Sequence, residues 1–237
     1  MNLILLFESD FTATDTVIIS DRRFHHIRQF HQPAQGQRLK VGLLNGKTGS
    51  GTVISLTEQS ITLEVLLENQ PPAALPLTLL LALPRPKMLK RTLQTITSMG
   101  VKQIYLINSY KVDKSYWSTP VLQQDNLREQ LLLGLEQSGD TVLPEVHLRK
   151  RFKPFVEDEL PQIARQSRAL VAHPYHASPC PGTSNEETTL AIGPEGGFIP
   201  YEVEKFQATG FEAIHIGQRI LRVENAVPVL LARLFPV

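Results

Sequence analysis

The amino-acid sequence predicts an α/β chain in which a small β-rich module precedes a larger part built on a parallel sheet. Three observations carry this. From residue 77 onward short apolar runs alternate with helical periodicities, the pattern of strands alternating with helices in parallel sheets. Before residue 70 the runs are short and alternating, with Asn45-Gly46 as a strong hairpin signal. Between these parts lies Asn69-Gln70-Pro71-Pro72-Ala73-Ala74-Leu75-Pro76, proline-rich and without periodicity. The expected domains are therefore 1–70 and 77–237, with 71–76 as the linker.

In the first part, residues 37–43, 51–56 and 60–67 read as strands, and Asp21 to Phe30 reads as a helix capped by Asp21 or Ser20. In the second, Leu77 to Leu83 is a continuous apolar strand, Lys87 to Ser98 a helix and Val101 to Ile107 a strand. Leu122 to Ser138 is the longest helix, with Leu127, Leu131 and Leu135 on one face. Ala169 to Ala172, Thr188 to Ile192 and Ala213 to Ile216 are further strands, and Tyr201 to Gln207 and Asn225 to Leu234 the last helices. Helices are expected on both faces of the sheet.

The 237 residues suffice for a sizeable core, and 42% hydrophobic with 20% charged residues is an ordinary globular balance. A formal net charge of +1 means that a polyanion must be met by local basic patches. The single Cys180 excludes an intrachain disulfide framework and a cysteine metal cluster, and points to a reduced, cytoplasmic setting. Met1 to Phe7 is too short and lacks the basic start of a signal peptide. Leu75 to Leu83, the best candidate for a membrane span, is broken by Pro76 and Pro84, so a soluble protein is expected.

The most informative stretch is Leu190-Ala191-Ile192-Gly193-Pro194-Glu195-Gly196-Gly197-Phe198. A β-forming run ends in a turn where glycines admit close backbone approach and Pro194 adds stiffness. Pro200 and Glu202 fit the first turn of the next helix. A second glycine turn, Gly217-Gln218-Arg219-Ile220-Leu221-Arg222, places apolar Ile220 and Leu221 between charges, which is unfavourable in a loop unless they line something. Two such turns at strand ends form a small-molecule pocket at one edge of an α/β sheet. The spacing of a dinucleotide fingerprint is absent, as is a phosphate-loop lysine. The ligand needs backbone amides but no phosphate cradle.

Ile192-Gly193-Pro194-Glu195-Gly196-Gly197-Phe198 followed by Gly217-Gln218-Arg219-Ile220-Leu221-Arg222-Val223-Glu224-Asn225-Ala226 closely resembles the paired C-terminal motifs of the RsmE family. These are SPOUT-class RNA methyltransferases acting on N3 of a uridine in 16S rRNA. Ser98-Met99-Gly100-Val101 and Glu136-Gln137-Ser138-Gly139 match two further family stretches. The resemblance covers the whole chain. It implies a C-terminal SPOUT trefoil-knot domain with a parallel sheet, plus a small N-terminal PUA-like β-barrel domain. It also implies S-adenosylmethionine as cofactor, rRNA of the small ribosomal subunit as substrate, and a homodimer completing each active site at its interface.

By the same resemblance, Leu83 and Pro84 form one wall of the cofactor site, Ile192, Gly193 and Gly197 the second, and Ile216, Gly217, Ile220, Leu221 and Arg222 the third. Catalysis is expected of Arg222, stabilising negative charge on the base as an oxyanion donor does, with Glu224 orienting it or the base. Arg219 is equally near in sequence. The chain departs from the family at Val223 and Asn225, where threonines usually flank the last Glu. It departs also at Asp140, where an Arg often stands, and in its opening, Asn2 to Phe7, which lacks the usual Arg-Phe-Phe. Two alternatives stay open: a paralogue acting at another RNA position, and a catalytically silent RNA-binding assembly factor of the same fold.

Basic residues fall in three groups. Arg22, Arg23, Arg28, Arg38 and Lys40, with His25, His26 and His31 interleaved, form the first; Arg85, Lys87, Lys90 and Arg91 the second; Arg149-Lys150-Arg151-Phe152-Lys153 the third. Charge sorted into faces suits phosphate contacts. RNA binding is expected of Arg22, Arg23, His26, Arg28, Arg38, Lys40, Arg85 and Lys87. The histidines lack matching carboxylate spacing, so no metal site is expected. Tyr116 and Trp117 are expected in packing, and Cys180 in a loop.

Overall fold

In this computed structural model residues 2–236 are described. Met1, where the signal-peptide reading begins, and Val237, the end of the expected second domain, lie outside the described residues. The chain divides into two units: residues up to Ala73 together with Leu131–Leu143, and Ala74–Gln130 together with residues from Pro144 on.

The first unit is built on alternation. Its strands are β1 (Ile4–Leu6), β2 (Thr16–Ile19), β3 (Arg38–Leu43), β4 (Thr48–Leu56) and β5 (Ile61–Asn69), with α1 (Arg22–His26) between β2 and β3. They form one sheet in the order β1-β3-β4-β5-β2. The β1–β3 pair is parallel and the other pairs antiparallel. Leu39 and Val41 are buried while Arg38 and Lys40, alternating with them, are exposed, so β3 has one inward face. Register shifts in the β4–β5 pair, at Thr48/Gly49 and Val53/Ser55, bend the strands. The core gathers Val17, Ile19, Phe24, Val41, Ile61 and Leu63. A second cluster joins Leu3 and Leu5 to Leu132 and Leu135. Asn45 takes φ 59° at the β3–β4 turn, as its side chain tolerates.

The second unit contains β6 (Leu77–Ala82), α2 (Pro86–Ser98), β7 (Gln103–Ile107), the first part of α3 (Gln124–Ser138), β8 (Glu145–Arg149), α4 (Phe152–Pro154) and α5 (Leu160–Ile163). Then come β9 (Arg168–Ala172), β10 (Ser178–Pro179), β11 (Thr188–Ile192), α6 (Pro200–Ala208), β12 (Glu212–His215) and α7 (Val223–Leu234). A seven-stranded sheet runs β10-β12-β9-β11-β6-β7-β8, parallel at every pairing. β11 lies between β9 and β6 and is buried at each of its positions, which explains its unbroken apolar run. Leu89, Leu93 and Ile96 give α2 its buried stripe, and α2 packs on α7.

Four elements differ from expectation. β1 and β2 are strands that short apolar runs near Phe7 and Ile19 do not announce. β8 alternates Glu145, His147 and Arg149 with Val146 and Leu148 at the sheet edge, and its polarity hides it. The expected helix from Asp21 to Phe30 is α1 followed by a π turn, Ile27–His31. Asp21 is its cap, accepting from the Arg23 N–H.

Arg23 corrects the surface reading of the first basic group. It is 2% exposed. Its guanidinium donates to both Asp10 oxygens at 2.7 and 2.8 Å, to the Asp21 carboxylate, and to the Leu5 carbonyl at 2.6 Å. It also lies 4.4 Å from the Phe7 ring centroid. Burial alone would lower its pKa, but the two carboxylates outweigh burial and raise it. A cation so held cannot meet a phosphate. Removing it leaves Asp10, 9% exposed, without its counter-charge. Arg23→Ala is expected to destabilise the protein by about 3–5 kcal/mol, read from urea unfolding; a loss under about 1 kcal/mol contradicts the account.

Candidate functional site

Parallel register brings three strand ends level. Ala172 of β9 pairs with Ile192 of β11, and Ile214 of β12 pairs with the same Ala172. Just beyond this row opens a cavity of about 310 Å³. Its position at the carboxyl ends of the strands is where open α/β sheets bind ligands. Gly193, Gly197, Gly217 and Ile220 are among the lining residues.

The first glycine turn is closed on itself. A Cβ at Gly193 would come 2.8 Å from the Phe198 backbone nitrogen and 3.2 Å from the Gly197 Cα, so only glycine fits. Gly197 takes φ 67° and donates its N–H to the Pro194 carbonyl. Gly196 accepts from the Lys111 ammonium at 2.6 Å. Glu195, between them, accepts the Arg85 backbone N–H at 3.0 Å, which ties the loop after β6 to the loop after β11. Glu202 of α6 does the same for β7. Buried at 2% exposure, it accepts from Ser109 Oγ, the Tyr110 N–H and the Ile199 N–H. Two carboxylates thus tie the loops through their N–H groups, and Glu202 does so for part-buried donors that would otherwise be left unpaired.

The second turn begins at Gly217, with φ 129°, where the N–H donates to His215 Nδ1 at 3.1 Å. Ile220 is 68% and Leu221 37% exposed, yet both line the cavity. Of the sequence-predicted cofactor residues, Ile192, Gly193, Gly197, Ile216, Gly217, Ile220 and Leu221 come together there. Leu83 and Pro84 are buried and are not among the lining residues; the Leu83 N–H donates to the Ile107 carbonyl. Arg222 is the exposed N-cap of α7 and accepts the Asn225 and Ala226 N–H groups at its carbonyl.

The three candidate catalytic residues separate. Arg219 lines the cavity. Glu224 lies in another cleft of about 190 Å³ between α2 and α7, with Arg91, Met88 and Pro228. Among the described residues no ion pair joins Arg222 to Glu224. Of the expected RNA-binding residues, Arg22 is held by both Glu136 oxygens at 2.8 and 3.0 Å, and Arg28 donates to the Glu58 carbonyl. Arg38, Lys40, Arg85 and Lys87 are exposed and His26 is half-buried. Asp140 is buried and accepts the Thr141 and Val142 N–H groups, a turn role its carboxylate fills. Cys180 is buried, and burial pushes its thiol pKa up, which disfavours the thiolate. Among the described residues no group of three or more His, Cys, Asp or Glu is placed to hold a metal ion, and no helix is long and apolar enough to cross a membrane.

One wall went unread in the sequence. Ala172, His173, Pro174 and Tyr175 continue β9 into the cavity lining. The available signal was the strand Ala169–Ala172 breaking at His173-Pro174, the same strand-then-turn pattern as at Ile192. Among the described residues His173 Nδ1 is buried without a hydrogen-bond partner, and its ring meets Tyr175 edge-on at 5.9 Å.

Residues 71–235 match the model of a family described as an RNA methyltransferase domain. A Treponema pallidum protein named ribosomal RNA small subunit methyltransferase E is 29% identical over 94% of this chain and 86% of its own. A Borreliella burgdorferi protein named ribosomal RNA small subunit methyltransferase E 1 is 21% identical over 95% of this chain and 94% of its own. Among solved structures, a ribosomal RNA small subunit methyltransferase E from Neisseria gonorrhoeae, bound to S-adenosyl methionine, superposes with a TM-score of 0.75. It is 20% identical, covering 98% of this chain and 95% of that one, a likeness of fold.

The site geometry sets two expected outcomes. Gly193→Ala meets backbone and is expected to cost about 1–3 kcal/mol, whereas Gly196→Ala meets only the flexible Lys111 side chain and costs clearly less; equal urea midpoints for the two variants contradict this. Burial, and then the charges of His176 and Lys111, hold the His173 pKa below its ordinary 6.5. The unfolded chain therefore takes up this proton first, so the stability is present above about pH 6.5 and lost as pH falls through the folded value. Thermal unfolding of His173→Gln is expected to show a shallower loss of stability below that pH; an unchanged slope contradicts it.

Proposed function

We infer that this chain, which belongs to the RNA methyltransferase family and within it to the RsmE family, is an S-adenosylmethionine-dependent rRNA methyltransferase acting on N3 of a uridine in the 16S RNA of the small ribosomal subunit. The observation that carries this is the cavity beyond Ala172, Ile192 and Ile214, closed by two glycine turns. Its volume of about 310 Å³ suits a small-molecule site. The cofactor fits its character: Gly193 tolerates no side chain, Gly197 and Gly217 hold left-handed backbone, and Ile192, Ile220 and Leu221 offer apolar contact to a ring. When bound, S-adenosylmethionine supplies an already activated methyl group. The remaining proposed cofactor contacts are Leu83, Pro84, Ile216 and the backbone of Arg222.

The chain's own work is then positioning and charge. Uracil N3–H is a weak acid whose proton passes to solvent water as the nitrogen reacts. Arg222, exposed at the head of α7, stabilises the negative charge that develops on the base oxygens. Arg219 faces the cavity, and Glu224 acts from the α2–α7 cleft to orient the base. Supporting the substrate side are exposed Arg38, Lys40, Arg85 and Lys87, with Arg22, His26 and Arg28 at the rim of the first unit. In this reading the first unit is PUA-like, the second carries the trefoil knot, the chain works as a homodimer in the cytoplasm, and no metal takes part.

Calorimetry with S-adenosylmethionine, combined with primer extension on rRNA from a deletion strain, tests the assignment. Binding heat, together with loss of the polymerase stop in the deletion strain, is expected; no heat would favour a silent RNA-binding factor. Arg222→Ala is expected to lower turnover about 100-fold or more while cofactor affinity stays within a few-fold. Full turnover by that variant removes Arg222 from the chemistry.

A further inference from the structure

After α1 the first unit does not continue as an α-helix but winds as a π turn over Ile27–His31. Such turns are rare and cluster at functional sites. The wider winding puts residues four and five positions on beside the same ring. Phe30 lies 4.6 Å from the His26 ring at 37°, and His31 lies 5.8 Å from it. Phe24 and Ile27 on the same segment are fully buried, whereas Phe30 is 66% exposed. Gln32 then closes the turn with φ 43°, its N–H on the Ile27 carbonyl.

The surroundings are basic. No Asp or Glu occurs in the sequence from Arg22 through Thr57, and His25, Arg28, His31, Arg38 and Lys40 are exposed; the acids brought against this segment from elsewhere are Glu136, which Arg22 holds, and Glu58, whose carbonyl accepts from Arg28. A bare aromatic face backed by an imidazole and bordered by cations suits an unpaired nucleobase with its phosphates. Any base can stack on the ring, and the cations neutralise the backbone. Paired RNA hides the faces of its bases in the helix and offers no such partner. An apolar protein groove would favour further exposed apolar side chains around Phe30, and this segment supplies cations instead.

We propose that Phe30, backed by His26 and bordered by His31 and Arg28, is a stacking platform for an unpaired nucleotide of the RNA substrate. None of these residues lines the cavity beyond Ile192. The platform rests on the methyltransferase reading only in taking RNA as the partner. It is tested on the full chain by fluorescence anisotropy with a labelled unpaired RNA and an RNA duplex of equal length. Wild type, Phe30→Ala and Phe30→Trp are compared, with S-adenosylmethionine calorimetry on each. Phe30→Ala is expected to weaken unpaired RNA about tenfold and duplex less than about twofold, Phe30→Trp to restore binding, and cofactor affinity to stay constant. Unchanged affinity of Phe30→Ala, equal loss on both RNAs, failure of Phe30→Trp to restore, or no binding of unpaired RNA by wild type each overturns the platform. Failure of the methyltransferase reading shows separately, as absent cofactor heat in the wild type.

Discussion

The level row of Ala172, Ile192 and Ile214 is the constraint on which the second unit's site depends. Parallel pairing makes every strand of this sheet end on the same side, and the slanted ladder leaves backbone groups there for the loops to cover. A slip of one residue in β11 would turn its inward side chains over and lift Gly193 away from the row. The loops beyond the strands are equally determined. Gly193 has no room for a Cβ, and Glu195 and Glu202 bind the neighbouring loops through their N–H groups. The cavity is therefore held by backbone and by two carboxylates, buried Glu202 and half-buried Glu195, with exposed side chains such as Ile220 and Leu221 at its mouth.

The first unit is held by a different device. Arg23 gathers Asp10, Asp21 and the Leu5 carbonyl, linking the segment before β2 to the start of α1. A buried cation held by two carboxylates and a carbonyl defines one arrangement of these segments. Next to it, Arg22 spends its charge on Glu136. The cations that remain outward, Arg28, Arg38 and Lys40, are those at exposed positions of the π turn and β3. Division of labour between adjacent arginines is thus set by which one the helix start turns inward.

Much of this was legible because backbone demands leave chemical signatures. Gly193 and Gly197 announced a turn that excludes side chains, Asn45-Gly46 a hairpin and Asp21 a cap. The parallel sheet was written in the continuous runs at Leu77 and Thr188. The features that escaped were decided by partners far apart in sequence. Nothing near Arg23 shows that Asp10 will enclose it, and Glu136 stands 114 positions from Arg22. β8 escaped because an edge strand tolerates polar alternation, and the His173-Pro174 wall because the turn after its strand holds no glycine to signal close backbone approach. The π turn was invisible to a helix periodicity that assumes constant winding.

The central claim is that one cavity, beyond Ala172, Ile192 and Ile214, holds the cofactor of a methyl transfer. A crystal structure of the chain grown with the demethylated cofactor S-adenosylhomocysteine tests it most directly. Ligand density is expected against Ile192–Gly193 and Ile216–Gly217, beside His173. Density in the cleft of Arg91 and Glu224 instead, or an empty cavity at saturating ligand, would contradict it.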